Sequence, residues 1–245
     1  MGGFSVDWAF VQPELSKFST VLSYDRAGYG WSKTNENSMT SAEYVNDLRK
    51  LLAKLKLNPP YILVGHSFGG LNMQLFAATF PEEIEGLVLV DSVHEHYYLP
   101  EYMSENRKMN FKKMLRVYKL GYILSPLGIP RFLKQYIGSK RLPSEYIRQA
   151  KAKGYKTNTY KKVYMELMSA AESAKQVQMA KPILDSIPIT VLSAGKQSEE
   201  WQEQQLLLCE HNRATKHKVA NESWHSIQIH EPGVVIDAIK EMTRK

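Results

Sequence analysis

Residues 61–70 constrain the fold more than any other stretch: Tyr61-Ile62-Leu63-Val64-Gly65-His66-Ser67-Phe68-Gly69-Gly70. An apolar, mostly strand-favouring run leads into Gly-x-Ser-x-Gly, and a helix-like run from Leu71 to Phe80 follows. That order fits a tight strand-to-helix turn that lifts one serine hydroxyl above the end of a sheet. The turn is crowded, so Gly65 and Gly69 are expected to leave space where side chains would meet the strained serine backbone. A bare Gly-x-Ser-x-Gly arises often by chance; between a buried strand and a helix it is far more specific. The bland alternative, a glycine-rich turn with an ordinary serine, leaves that context unexplained.

Three further segments accompany the turn: Tyr24-Asp25-Arg26-Ala27-Gly28-Tyr29-Gly30-Trp31-Ser32, Leu87-Val88-Leu89-Val90-Asp91-Ser92, and Trp224-His225. In these residues and their order the chain resembles the α/β-hydrolase superfamily, in its serine-hydrolase, esterase- and lipase-like branch. The resemblance implies an α/β fold, a mostly parallel sheet flanked by helices with an inserted helical cap. It runs from Met1 to about Val93 and from about Pro188 to the end. The expected division is therefore a core of 1–92 with 188–245 and a cap of 93–187.

The start of the chain fits that resemblance awkwardly. Gly2-Gly3 and Asp7-Trp8 match the end of the family's oxyanion loop, but the strands expected before it are absent. In the family's sheet one of those strands lies between later ones, so its loss would leave unpaired backbone groups on both sides of a gap. The expectation is an N-terminally truncated chain, poorly soluble or weakly active unless the upstream strands are supplied.

At 245 residues and 43% hydrophobic composition, the chain can bury one large α/β domain with an insertion. A single cysteine, Cys209, excludes an internal disulfide, gives no case for an oxidising compartment and leaves the cytoplasm as the expected location. Its place beside Leu206-Leu207-Leu208 suggests a core position. No apolar run approaches the roughly 20 residues needed to span a bilayer. The net charge of +7 is uneven: residues 101–181 carry +13 and the remainder −6. A basic segment on an acidic body suggests a surface module rather than a nucleic-acid binder, and no nucleic-acid motif accompanies it. Its charge reads as a solvated face, or more sharply as a peripheral contact with anionic membrane.

Along the chain, Thr20–Tyr24 reads as a buried strand and Asp25–Gly30 as the turn after it. Val45, Leu48, Leu51, Leu52 and Leu55 share a helical face, ended by Asn58-Pro59-Pro60. Strands are expected again at Gly86–Val90, Ile189–Ser193 and near Lys216–Ala220. Residues 93–187 break the strand-helix alternation with basic, aromatic and methionine-rich helical patterns, and the resemblance places them as a cap over the serine. Leu120–Pro130, punctuated by Gly121, Pro126, Gly128 and Pro130, reads as a bent helix pair rather than one rod. Pro232 starts the last helix, with Val234, Val235, Ala238, Ile239 and Met242 towards the core.

An uncharged serine is a poor nucleophile and needs a base within hydrogen-bond reach, itself oriented by a third group. Among seven histidines, the resemblance points to His225, in the loop after the last strand, with His230 as the fallback. His66 should point away from the hydroxyl, and His211 and His217 should be exposed. The family's orienting acid follows either of two strands. Asp91 ends the strand beside the turn, and Glu199 and Glu200 follow the later one; Asp91 is preferred, with both glutamates as alternatives. Asp25, an acid on chemistry alone, is read as a turn residue. The resemblance assigns the oxyanion hole to the amide of Phe68 and a partner near Gly3.

The reading is a serine hydrolase acting through an acyl-enzyme on an ester or related acyl bond of a small apolar substrate. Amidase, aminopeptidase or carbon–carbon bond hydrolysis with the same triad remains open, as does a ligand-binding protein without turnover. A serine at the turn argues against the superfamily's dehalogenases and epoxide hydrolases, which use aspartate there. No metal cluster, phosphate loop or dinucleotide fingerprint appears, so no cofactor is expected.

Overall fold

The computed structural model describes residues 1–33 and 39–243. They form two compact units, Met1–Thr40 with Pro100–Ala170, and Ser41–Leu99 with Ala171–Lys245. The chain thus divides differently from the expected core and cap, because Met1–Thr40 packs with the helical segment.

Ser41–Leu99 and Ala171–Lys245 hold a parallel four-stranded sheet in the order β1 (Tyr61–His66), β2 (Ile84–Val90), β3 (Ile189–Ala194), β4 (Thr215–Ala220). Parallel strands need helical crossovers, and strands covered on both faces read as continuous apolar runs. β3 is buried throughout and β2 at all but Glu85, whereas β4, an edge strand, buries only Ala220. His66 pairs with Val90 and Val90 with Leu192. Ser67 and Asp91, each one residue further on, therefore leave adjacent strands at the same level.

Phe68–Thr79 is the β1-to-β2 crossover helix, and nine of its twelve residues are buried. The last helix, Pro232–Thr243, buries Val235, Ile236, Ala238, Ile239 and Met242; Ile236, rather than Val234, completes that face. Ser41–Lys54 buries Tyr44, Val45, Leu48 and Leu52 and leaves Leu55 exposed. Its first amides donate to Ser173 Oγ at 3.0 Å and Gln176 Oε1 at 2.9 Å, which satisfies donors a helix start leaves open.

Met1–Thr40 and Pro100–Ala170 carry the helices Glu105–Leu124, Ile129–Phe132, Ser144–Gly154 and Thr157–Met168. A Cβ at Gly121 would enter the ring of Tyr160, so that glycine lets two of these helices approach closely. The expected strand at Thr20–Tyr24 does not form. The segment joins none of the described strand ladders; Val21 O accepts from Gln12 Nε2, and Ser23 Oγ donates to Gln12 Oε1. An apolar run becomes a strand only beside another strand. Asp25 is a turn residue as expected, accepting from Ser5 N at 2.7 Å and Trp31 N at 2.9 Å.

Glu166 is fully buried and accepts from Arg26 Nη2 at 2.6 Å and Tyr29 Oη at 3.1 Å, tying the first forty residues to the helices. Removing one partner of such a pair strands the other charge away from water. Glu166→Gln is expected to lower stability by about 3 kcal/mol in urea denaturation. An unchanged midpoint would deny this pair its role.

Candidate functional site

Ser67 sits between β1 and the crossover helix at φ 54°, ψ −125°, a region that side-chain-bearing residues seldom occupy. Such strain costs on the order of 1–3 kcal/mol and persists only where the surroundings fix it. Here Ser67 N donates to Val90 O, while Ser67 O accepts from Gly70 N and Val93 N. The room for this turn comes from Gly65 and Gly70. A Cβ at Gly65 would lie 2.5 Å from Gly70 Cα, and one at Gly70 would overlap Ser92. The expected role of Gly69 is corrected, because its Cβ position is open space.

His225 lies in the loop after β4, anchored by Gly195 N to Ala220 O and Lys196 N to Ser223 O. Its Nε2 is 2.9 Å from Ser67 Oγ. Its carbonyl is 2.8 Å from His66 Nε2, and a carbonyl only accepts, so His66 carries its proton on Nε2. Burial, with the His225 ring next, holds the His66 pKa well below the usual histidine value, so this donor stays neutral. His66 thus points away from the hydroxyl and steadies the backbone of His225.

Asp91 is fully buried, at φ 43°. Its Oδ2 is 2.7 Å from His225 Nδ1 and accepts a long 3.4 Å bond from Gln197 Nε2. Its Oδ1 accepts from Ala194 N at 2.9 Å and from Trp201 Nε1 at 3.0 Å. Both oxygens of this buried side chain thus face N–H groups, and a carboxylate has acceptor sites for all of them. The carboxylate in turn favours a proton on His225 Nδ1, which leaves the Nε2 lone pair for the Ser67 hydroxyl. The Trp201 ring stands edge-on to His225 at 5.1 Å and 88°.

Glu199 and Glu200 occupy the first turn of the helix Glu199–Leu208, both exposed, where carboxylates complement the positive end of a helix. The hydrogen-bonded acid is Asp91. His230 Nδ1 lies 3.4 Å from Trp224 O. His217 is exposed, but His211 corrects the expectation: it is half-buried, bonded to Gln74 Oε1 and stacked on His94. Burial pushes its pKa down to about 4. Cys209 is half-buried rather than core, its thiol directed at Gln205 O.

His94, Glu95 and His96 bring three ligand-capable atoms within 4.8 Å of one another. His94 Nδ1, however, accepts from His96 N, so its proton sits on Nε2, 3.4 Å from Glu95 Oε2. A metal at Nε2 would have to displace that proton and break the turn, so the group fits a loop better than a metal centre.

Phe68 begins the crossover helix, where its N–H is among the first-turn donors a helix leaves open, and its ring packs edge-on against Tyr44 and Tyr98. Gly3 belongs to the other unit, between Gly2 at φ +74° and the turn Ser5–Trp8. Trp201, Gln197 and the His66–His225 bond were not foreseen. Their only sequence signal is the cluster of polar and aromatic donors just past β3.

A model of the α/β-hydrolase fold matches residues 1–129, and the chain belongs to that family. An uncharacterised protein of Schizosaccharomyces pombe is 29% identical over 229 residues, which cover 91% of this chain and 41% of that one. YqjL of Bacillus subtilis, also uncharacterised, is 32% identical over 114 residues, 44% of this chain and 45% of that one. The chain therefore spans less than half the length of the Schizosaccharomyces pombe protein, and its match to YqjL covers less than half of either chain. Among solved structures, a thermophilic esterase of Thermogutta terrifontis superposes with a TM-score of 0.72 at 21% identity, covering 98% of this chain and 85% of that one. A mutant of the haloalkane dehalogenase DatA of Agrobacterium tumefaciens C58 gives 0.72 at 15% identity, with 98% and 86% covered. Both share the fold.

Proposed function

We propose that the protein is a serine hydrolase that cleaves an ester or related acyl bond of a small, fairly apolar substrate. The observation that supports this reading is the relay from Ser67 Oγ to His225 Nε2 at 2.9 Å and from His225 Nδ1 to Asp91 Oδ2 at 2.7 Å. Ser67 Oγ attacks the substrate carbonyl while His225 Nε2 takes the hydroxyl proton. The carbonyl oxygen becomes an oxyanion, stabilised by the Phe68 N–H. As the tetrahedral intermediate collapses, His225 passes its proton to the departing alcohol, leaving an acyl-Ser67. Water, deprotonated by His225, then attacks the acyl carbon and releases the acid, and Ser67 regains its proton. Asp91 holds the His225 ring in orientation and stabilises the imidazolium.

The reading is tested with a fluorophosphonate probe and a panel of ester, amide and diketone substrates. Labelling at Ser67 with ester turnover is the expected result. Preferred cleavage of the amide or diketone would change the bond while keeping the triad. No labelling would leave a ligand-binding protein.

Trp201 acts through Asp91. Trp201→Phe keeps an aromatic ring beside His225 but removes the indole N–H, a hydrogen bond to a charged group contributing about 1.5–3 kcal/mol. The expected result is a drop in kcat of about tenfold or more with KM nearly unchanged. Unaltered kcat would show that the Ala194 amide alone aligns the carboxylate.

A further inference from the structure

The helices between Pro100 and Ala170 carry a feature that the Ser67 site does not use. Six large apolar side chains are exposed within one short stretch: Val117, Leu120, Ile123, Leu127, Phe132 and Leu133. Leu127 is 75% exposed and Phe132 86%. Val117, Leu120 and Ile123 recur every third residue, so they share one side of the helix Glu105–Leu124. The chain then makes a tight turn through Ser125–Leu127, reverses at Gly128 (φ +74°), and enters the short helix Ile129–Phe132. These elements contact one another, which gathers their exposed apolar side chains towards one end of the helix Glu105–Leu124, here called the apolar tip.

The tip has a basic rim. Arg116, Lys119, Arg131 and Lys134 are all exposed in the same stretch, Arg131 lying 5.5 Å from the Tyr155 ring centre, and residues 106–144 contain ten Lys and Arg but no Asp or Glu. Scattered exposed leucines need no explanation, but a contiguous apolar patch rimmed by polar groups marks an interaction site. The rim decides the partner. In a twofold contact between two copies the patch would face itself, setting basic rim against basic rim with no acid from the same stretch to offset them. An anionic bilayer offers both an acyl boundary for the apolar tip and phosphates for the rim. No described helix is long and apolar enough to cross a membrane, so this mode of contact is interfacial.

We propose that this apolar tip and its basic rim dock the protein on an anionic phospholipid surface. The test is flotation with phosphatidylcholine vesicles, with and without phosphatidylserine, at low and high salt. The wild type is expected to float only with the phosphatidylserine vesicles and to be released by salt. Leu127→Ser combined with Phe132→Ser should weaken partitioning by on the order of 30-fold or more. Arg131→Gln and Lys134→Gln should each weaken it about fivefold. All four side chains are exposed, so the variants should melt like the wild type. Ser67→Ala should bind like the wild type, which separates this proposal from the hydrolase reading. The proposal is overturned if the wild type fails to float, if it floats regardless of lipid charge or salt, or if the double variant partitions unchanged. A wild-type dimer abolished by the double variant, without vesicle binding, would also overturn it and make a second copy the occupant.

Discussion

Ser67→Ala is expected to abolish fluorophosphonate labelling and to cut ester turnover by on the order of 10⁶, the scale seen when a triad nucleophile is removed. The expectation follows from what the substitution leaves in place. Alanine keeps the Cβ, so residue 67 meets the same backbone strain at φ 54° as serine does. The bonds from Ser67 N to Val90 O and from Val93 N to Ser67 O involve only main chain and survive. Among the described residues the one hydrogen bond lost is that of the hydroxyl to His225 Nε2, while His225 keeps Asp91 on its other nitrogen. Thermal unfolding should therefore move little while activity disappears. Hydrolysis at the wild-type rate in this variant would refute the proposed nucleophile. A large fall in melting temperature would instead assign the hydroxyl a structural role.

What was legible in the sequence, and what was not, divides by the range of the interaction. The apolar runs of β2 and β3 announce themselves because strands buried on both faces need no polar positions. Thr20–Tyr24 has similar composition and forms no strand, since pairing depends on a neighbour that composition does not reveal. Gly65 was readable from the motif, but the second close approach is at Gly70, not Gly69, and it is set by Ser92 on the neighbouring strand's end. Ser67, Asp91 and His225, which the hydrogen bonds bring together, were suggested by the family resemblance through their order along the chain and the elements that end at them. The Trp201 bond to Asp91 spans 110 residues and follows no local spacing rule. His211 misled for the same reason, because its burial depends on Gln74 and His94, which approach it only in the fold.

Asp91→Asn should lower kcat by about 10⁴, as an amide does when it replaces the carboxylate of such a triad. The reason lies in the hydrogen-bond inventory around this side chain. Among the described residues Asp91 faces N–H groups alone: Ala194 N and Trp201 Nε1 at Oδ1, His225 Nδ1 and Gln197 Nε2 at Oδ2. A carboxylate can accept from all of them, whereas an asparagine offers one oxygen and one NH2 that only donates. If the new NH2 faced Ala194 and Trp201, three donors would crowd one buried position. The less costly arrangement leaves the oxygen there and aims the NH2 at His225 Nδ1. His225 must then accept on Nδ1 and carry its proton on Nε2, the atom that has to take the proton from Ser67. The serine keeps its place and loses its base. Nitrogen NMR of the imidazole should accordingly show the Nε2–H tautomer in the variant and the Nδ1–H tautomer in the wild type. Glu199→Gln and Glu200→Gln, on exposed side chains in a helix's first turn, should leave kcat nearly unchanged. If either of these abolished turnover while Asp91→Asn remained active, the orienting acid would lie after β3, and the buried Asp91 would serve only to tie together the ends of β2 and β3.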